Sequence, residues 1–552
     1  MADSHRVDRR TFLRTAGVTA GTAAVASSAL LATGSASAAD GHFRHGVASG
    51  DPLPDGILLW TRVTPTPEAT PGSGLGDPVT VDWQLATDAE FGDVVASGQV
   101  QTGPDRDHTV KVDVGGLAPA TTYWYRFGYD GSWSPVGRTL TAPAYDAEIS
   151  GLRAGVVSCS NWEAGYFSAY RRLAERDDLQ LMLHLGDYLY EYGTGEFAAG
   201  SVGGTGGTVI RPHEPTHEIL TLADYRIRHG HTKTDPDLQR LHAAVPWVIT
   251  WDDHEVANDS WSGGAENHDP ATEGSFADRK AAAHRAYAEW MPVRLTTDGR
   301  IYRRLRYGKL AEFSMLDLRS YRSQQAGGAA VDDPSRTITG DDQMAWLKEG
   351  LAASTARWKL IGNSVMIARL DLASLPAWLL GPLGQLLGIP ENGAVLFSDQ
   401  WDGYNADRNE LVHHIRATGV RDVVFLTGDI HTSWANELTT RETGSTAAAV
   451  EFVIPSVTSD NIDDLTGAPQ NSTTTAASAA IRLTNPHVRW VDTDHHGYGV
   501  LDVRPERCQM DWYFLAERTS RNSVSTWARG YSVASGSTTL ERQSAPASAG
   551  SS

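Results

Sequence analysis

Four short segments, far apart in the chain, carry residue types able to do chemistry. They are Ser158-Cys159-Ser160-Asn161, Gly186-Asp187-Tyr188-Leu189-Tyr190, Trp251-Asp252-Asp253-His254-Glu255 and Gly428-Asp429-Ile430-His431. A thiol, a phenol, imidazoles and several carboxylates are the donor types that metal ions take. Phenolate is a hard, charged donor that suits ferric iron, and thiolate suits an iron centre as well, so Cys159 and Tyr190 favour iron. His431 supplies the imidazole, and Asp187 can bridge two cations through its two oxygens. Asp253 and Asp429 have oxygen-rich surroundings, which suit calcium or magnesium better than zinc, and Asn258 offers a neutral oxygen to the same ion. Asp252 beside Asp253 would be repelled unless a cation lay between them. Asp252 reads equally well as a capping or solvated residue, and a capping or solvated role is also the alternative for Glu255.

Each segment directly follows an apolar run that reads as a buried strand, at residues 154–157, 179–185, 245–250 and 423–427. In an open α/β sheet the carboxyl ends of the strands meet along one edge, so distant residues line one crevice there. Convergence of these donors predicts a metal-dependent phosphoesterase. His254, next to a presumed ligand on a strand-end turn, is then directed to the phosphate oxygen or the leaving group, as donor or general acid. Asn161, beside the cysteine, and Asn363, at another strand exit, each offer an amide that could donate to a phosphate oxygen or ligate calcium. His495 and His496 precede a strand and read as outer support or plain loop, and His242 as a structural histidine.

From about His45 to Pro143 the chain is β-rich. Residues 79–85 and 109–114 alternate as half-buried strands, and residues 117–127 resemble the entry into a late strand of fibronectin type III sandwiches. After residue 150 strands alternate with helical candidates at 167–176, 222–229, 276–291, 343–354 and 405–418, which calls for a layered α/β domain. The glycine-rich stretch 193–207 reads as a flexible insertion, since no Gly-Lys-Ser/Thr follows it. The organisation expected is a signal peptide at 1–38, a β-sandwich at 39–146, a catalytic domain at 147–532 and a flexible tail at 533–552.

Arg9-Arg10-Thr11-Phe12-Leu13, a modestly apolar stretch and Ala36-Ser37-Ala38 form a twin-arginine export signal. The expected location is therefore outside the cell, with the twin-arginine translocase as partner during export and no stable membrane anchor. Net charge is -20, and loss of the four Arg and two Asp of residues 1–38 takes it to -22. So acidic a surface argues against a nucleic-acid partner, and it requires cations at any phosphate site. Of the two cysteines, Cys508 alternates with Met510, Trp512 and Phe514 as a core face, which lowers the case for a disulfide with Cys159.

Thr221-Leu222-Ala223-Asp224-Tyr225-Arg226, His45-Gly46-Val47-Ala48-Ser49-Gly50-Asp51-Pro52 and the four segments resemble the alkaline phosphatase D family. Some secreted actinobacterial phospholipase D enzymes share that group, which also resembles purple acid phosphatases. The resemblance implies an all-β fibronectin/Ig-like sandwich followed by a four-layer α/β metallophosphoesterase domain, with one Fe3+ and two Ca2+. Iron would bind Cys159, Asp187, Tyr190 and His431. Calcium would share Asp187 and use Asp253 and Asp429, with Asn258 or Asp252 added. Relative to the purple acid phosphatase pattern, Cys159 stands for an Asp, Asp253 for an Asn and Asp429 for a His. These departures speak against zinc or manganese at the second position.

The expected reaction is hydrolysis of small-molecule phosphate mono- and diesters by direct attack of a metal-bound hydroxide, with no phosphoenzyme. The alternative is a phospholipase D acting on phospholipid headgroups. It draws on the apolar stretch 370–390, which could dip into a lipid surface or pack as a loop on the protein.

Overall fold

The computed structural model describes residues 41–201, 207–371, 398–439, 446–466 and 472–548. Two large sheets face each other. The first runs in the order Leu540–Gln543, Ser525–Ala534, Arg507–Leu515, Gly497–Val503, Leu152–Val157, Leu181–Leu185, Trp247–Thr250, Val47–Leu53, Gly56–Arg62, Thr109–Gly115. The second runs Arg303–Tyr307, Ala311–Met315, Trp358–Asn363, Val423–Thr427, Ala449–Val453, Ser433–Leu438, Val488–Asp492.

Alternation along the strands decides which residues fill which layer. Leu152, Ala154 and Val156, with Leu181, Leu183 and Leu185, face Val424, Leu426 and Phe452 of the opposite sheet in one continuous core. Cys508, Met510, Trp512 and Phe514 join that core, as their alternation predicts, and both cysteines are free thiols. The opposite faces are covered by helices. Val157, Met182 and Ile249 pack against Tyr170, Leu173, Leu238, Leu241 and Tyr287 from helices Ser168–Ala174, Pro236–Ala244 and Phe276–Trp290. Ile361, Val423 and Phe425 pack against Met344, Leu347, Leu411 and Ile415 from Asp341–Ala353 and Asn405–Thr418. The result is helix, sheet, sheet, helix, the four layers expected.

The N-terminal region is the expected sandwich, with a difference. Its smaller sheet, Val94–Thr102, Val79–Ala86, Thr122–Tyr129 and Ser132–Trp133, packs Val81, Leu85, Tyr123, Tyr125 and Phe127 against Ile57, Leu59, Val110 and Val114. Those last four lie on strands that continue the ten-stranded sheet beyond Trp247–Thr250, Gly50 pairing with Trp247 in parallel.

The segment after Ser532 is not a loose tail where the structure describes it. Leu540–Gln543 is the outermost strand of the large sheet, the Ala547 amide donates to Asp511 at 2.8 Å, and Arg153 donates to the Ser548 carbonyl at 2.7 Å. Among the described residues no helix is long and apolar enough to cross a membrane. The export segment and residues 372–390 of the apolar stretch lie outside the described residues.

Candidate metal centre

The four segments leave the carboxyl ends of parallel strands, but not of one sheet. Leu152–Val157, Leu181–Leu185 and Trp247–Thr250 are neighbours in the first sheet, whereas Val423–Thr427 belongs to the second. The single crevice expected from one sheet edge is thus a seam between two. Cys159, Asp187, Asp429 and His431 all turn through the left-handed region, with φ of 58°, 57°, 63° and 56°. A non-glycine residue there costs about 1–2 kcal/mol, and such strain clusters at functional sites because the surroundings over-determine it. The surroundings do so here. The Cys159 amide donates to the Gly186 carbonyl at 3.2 Å and the Ser160 amide to the Asp187 carbonyl at 2.9 Å. Gly186 (φ 104°) has no room for a Cβ, which would lie 2.4 Å from that of Asp252.

Three donor groups converge, and every member is buried. Cys159, Asp187 and His431 place ligand atoms within 4.8 Å of one another; so do Asp187, Asp253 and His254, and so do Asp187, Asp252, Asp253 and Asp429. Asp187 is common to all three, as a bridging carboxylate must be. The Tyr190 hydroxyl joins the first group, 3.2 Å from Asp187 Oδ2 and 3.5 Å from His431 Nε2. Asp187 Oδ1, His254 Nε2 and Asn258 Oδ1 are buried without a hydrogen-bond partner. Buried acceptors are rarely left so. Cations bound by this donor set would satisfy the oxygens, so the residues fit the metals.

The PhoD-like phosphatase model matches residues 154–512, and the model of its N-terminal domain matches 26–143. Alkaline phosphatase D of Bacillus subtilis (strain 168) is 36% identical over 526 residues, 92% of this chain and 84% of the relative. The chain belongs to the PhoD-like phosphatase family. A solved structure of PhoD superposes with a TM-score of 0.80 at 33% identity, covering 92% of this chain and 93% of that one. The expected family and fold class both hold, and the protein is a phosphoric ester hydrolase.

Within this PhoD-like site, burial and the crowding of acids set the electrostatics. Burial, and then the neighbouring carboxylate of Asp187, push the Cys159 thiol well above its ordinary pKa; the same two causes raise Tyr190. Burial raises Asp187 too, with Asp253 and Asp252 adding to it against the pull of His254. So many acids can be anionic together only beside cations. Glu255 is not solvated. It lies 2% exposed and accepts the amides of Asp187 (3.1 Å), Tyr188 (2.6 Å) and Asp252 (2.8 Å), riveting two of the donor loops together.

Four contributors carry no motif in the sequence. Glu191 is fully buried and accepts from His254 Nδ1, the Asn258 amide (both 2.7 Å) and Asn267 (2.9 Å), so it orients His254 and leaves Nε2 facing the acids. Its one signal is its place directly after Tyr190. Ser459 donates to the Tyr190 oxygen at 2.5 Å, while the Asp460 carbonyl lies 2.7 Å from His431 Nδ1. Arg319 lies among Asp252, Asp253, Asp399 and Asp429.

The amides fare differently. Asn161 braces loops through its side chain, donating to the Phe197 carbonyl at 2.7 Å and accepting the Glu163 amide at 2.9 Å. Asn363 is likewise taken, accepting from Trp401 and donating to Thr427, both at 2.9 Å. His496 sits in an outer layer against Asp464 (2.8 Å) and Ser456 (2.9 Å), and His495 against Asp492. The glycine-rich stretch is pinned where it is described, Gly195 to Glu163 and Gly200 to Asp460. His242 is structural, stacked on Trp247 and 2.9 Å from the Tyr188 hydroxyl.

Proposed function

We propose that the chain hydrolyses phosphate mono- and diesters in the manner of its relative alkaline phosphatase D. In this reading Cys159, Asp187, Tyr190 and His431 hold a ferric ion. Asp187, Asp253 and Asp429, with the unpartnered Asn258 oxygen, hold calcium. When bound, such cations neutralise phosphate charge and acidify water. His254 offers Nε2 as proton donor to the phosphate or the leaving alkoxide, and Glu191 fixes its ring and supports its positive form. Burial opposes that charge; in the metal-free chain Asp253, Glu191 and Asp187 together raise the imidazole well above its ordinary pKa, and with cations on Asp187 and Asp253 it is Glu191 that continues to support it. Arg9-Arg10 and the small-residue run supply the case for export by the twin-arginine route.

The single observation that carries the proposal is the sharing of Asp187 by a sulfur- and imidazole-bearing group on one side and an oxygen-rich group on the other. The test is elemental analysis of active protein together with a side-by-side assay of a phosphomonoester, a phosphodiester and phosphatidylcholine, before and after chelation and calcium return. Iron and calcium with turnover of the soluble esters are expected. Turnover of phosphatidylcholine alone would replace the reading with a phospholipase D.

A further inference from the structure

We propose that Arg319 is a built-in, non-exchangeable countercharge of the acid cluster: it withdraws Asp252 from metal binding and, by competing for Asp429 and Asp253, sets the calcium affinity there. The inference rests on the metal reading above. Arg319 leaves the turn after Ala311–Met315 in the second sheet and reaches the acids at the strand ends of the first. Its side chain is 3% exposed. Nε and Nη2 fork onto the two oxygens of Asp252 at 2.5 and 3.1 Å, the planar pairing that guanidinium makes best. Nη1 meets Asp399 at 3.0 Å, and Asp399 is itself braced by Arg322 and by Gln325 at 2.7 Å. The same Nη2 lies 3.2 Å from Asp429 Oδ1 and 3.5 Å from Asp253 Oδ1.

Two consequences follow from charge and distance. A guanidinium keeps its proton throughout the working pH range, so this positive charge is permanent. A cation on Asp252 would have to share both oxygens with a charge of its own sign already in hydrogen-bond contact, in a buried and weakly screened place. Asp252 therefore belongs to Arg319, although it is near enough to Asp187, Asp253 and Asp429 to be counted with them. At Asp429 and Asp253 the guanidinium is farther and oblique. There it does not exclude a divalent cation but weakens its hold, favouring an exchangeable calcium over a permanently sequestered one. Arg319 is a positioning residue in this scheme: its N–H groups are directed at carboxylates.

The full chain, Arg319→Met, Arg319→Lys and Asp252→Asn are compared by elemental analysis, by calorimetric titration of the chelated protein with calcium, and by melting with chelator and with calcium. Arg319→Met should bind calcium at least tenfold more tightly and show a wider gap between its two melting temperatures than the parent. Arg319→Lys, which keeps the charge, should stay within about threefold of the parent Kd. Asp252→Asn should carry the parent's number of cations at saturating calcium. Unchanged or weaker binding in Arg319→Met, or loss of a cation in Asp252→Asn, overturns the inference while leaving the metal reading intact. Should Arg319→Met not fold, the lysine and asparagine variants still decide it: tenfold tighter binding by the lysine variant or a missing cation in the other refutes it. A parent protein free of bound cations would overturn both readings.

Discussion

Glu255→Gln is the substitution that tests how the donor loops are held. The carboxylate accepts Tyr188 N–H on Oε1 and both Asp187 and Asp252 N–H on Oε2, at 2.6, 3.1 and 2.8 Å. Glutamine has the same shape but only one acceptor oxygen. With that oxygen on the two-bond side, its NH2 confronts the Tyr188 N–H; reversed, it confronts two. The better arrangement still strands one buried donor, at about 1–3 kcal/mol, and weakens the remaining bonds by removing their charge assistance, worth about 1 kcal/mol each. The total is about 3–5 kcal/mol. Much of it falls on Asp187, whose left-handed backbone (φ 57°) is held partly by this contact. Chemical denaturation of the purified variant should show that loss, and elemental analysis should show reduced occupancy of both proposed metal types, because Asp187 belongs to every donor group. Parent-like stability together with parent-like metal content would refute the claim that Glu255 fixes the loops.

Cys159→Ala should lose iron, activity and the visible absorption of sulfur- or phenolate-to-metal charge transfer while remaining folded, as checked by absorption and circular dichroism. His254→Asn should reduce kcat by about 10²–10⁴-fold, and Glu191→Gln should show a smaller loss in kcat with metal content retained, measured by steady-state kinetics and elemental analysis. Asp464 gives the chain a pH dependence to check. Burial pushes its carboxyl up, but His496 and Arg518 outweigh this and bring it to about 2 against 3.8 unperturbed. A depressed carboxyl contributes stability above its unfolded pKa and loses it as pH falls toward the folded value. Asp464→Asn should therefore flatten the fall in melting temperature between about pH 4 and pH 2.

The strand-end motifs were the most legible part of the chain. Val423–Thr427 and Asn405–Thr418 start and stop where apolar periodicity places them, because one is a continuous buried run and the other ends on Gly419 in the left-handed conformation. Pro236–Ala244 escaped notice: nine residues give too short a pattern, although Asp235 caps it and Pro236 opens it. Adjacency alone was a poor guide at Asn161, since standing two residues from a presumed ligand does not show that the amide also holds the Phe197 carbonyl. It misled again at Leu540–Gln543, where small polar neighbours read as disorder although an edge strand needs only backbone partners. Glu191 and Arg319 were illegible because a lone charge in a loop is usually solvated, and only the three-dimensional arrangement shows that these are not.

The shared sheet makes the N-terminal sandwich inseparable from the hydrolase. Asp51 pairs with Arg303 at 2.5 Å and accepts the Arg294 amide at 2.7 Å, while the Trp60 indole donates to the Glu289 carbonyl at 2.8 Å. A shortened chain starting near residue 147 would expose the flank of Trp247–Thr250 as an unpaired backbone edge, next to the strand that delivers Asp253. Such an edge recruits other molecules into ladders, so minimal catalytic fragments would be expected to precipitate.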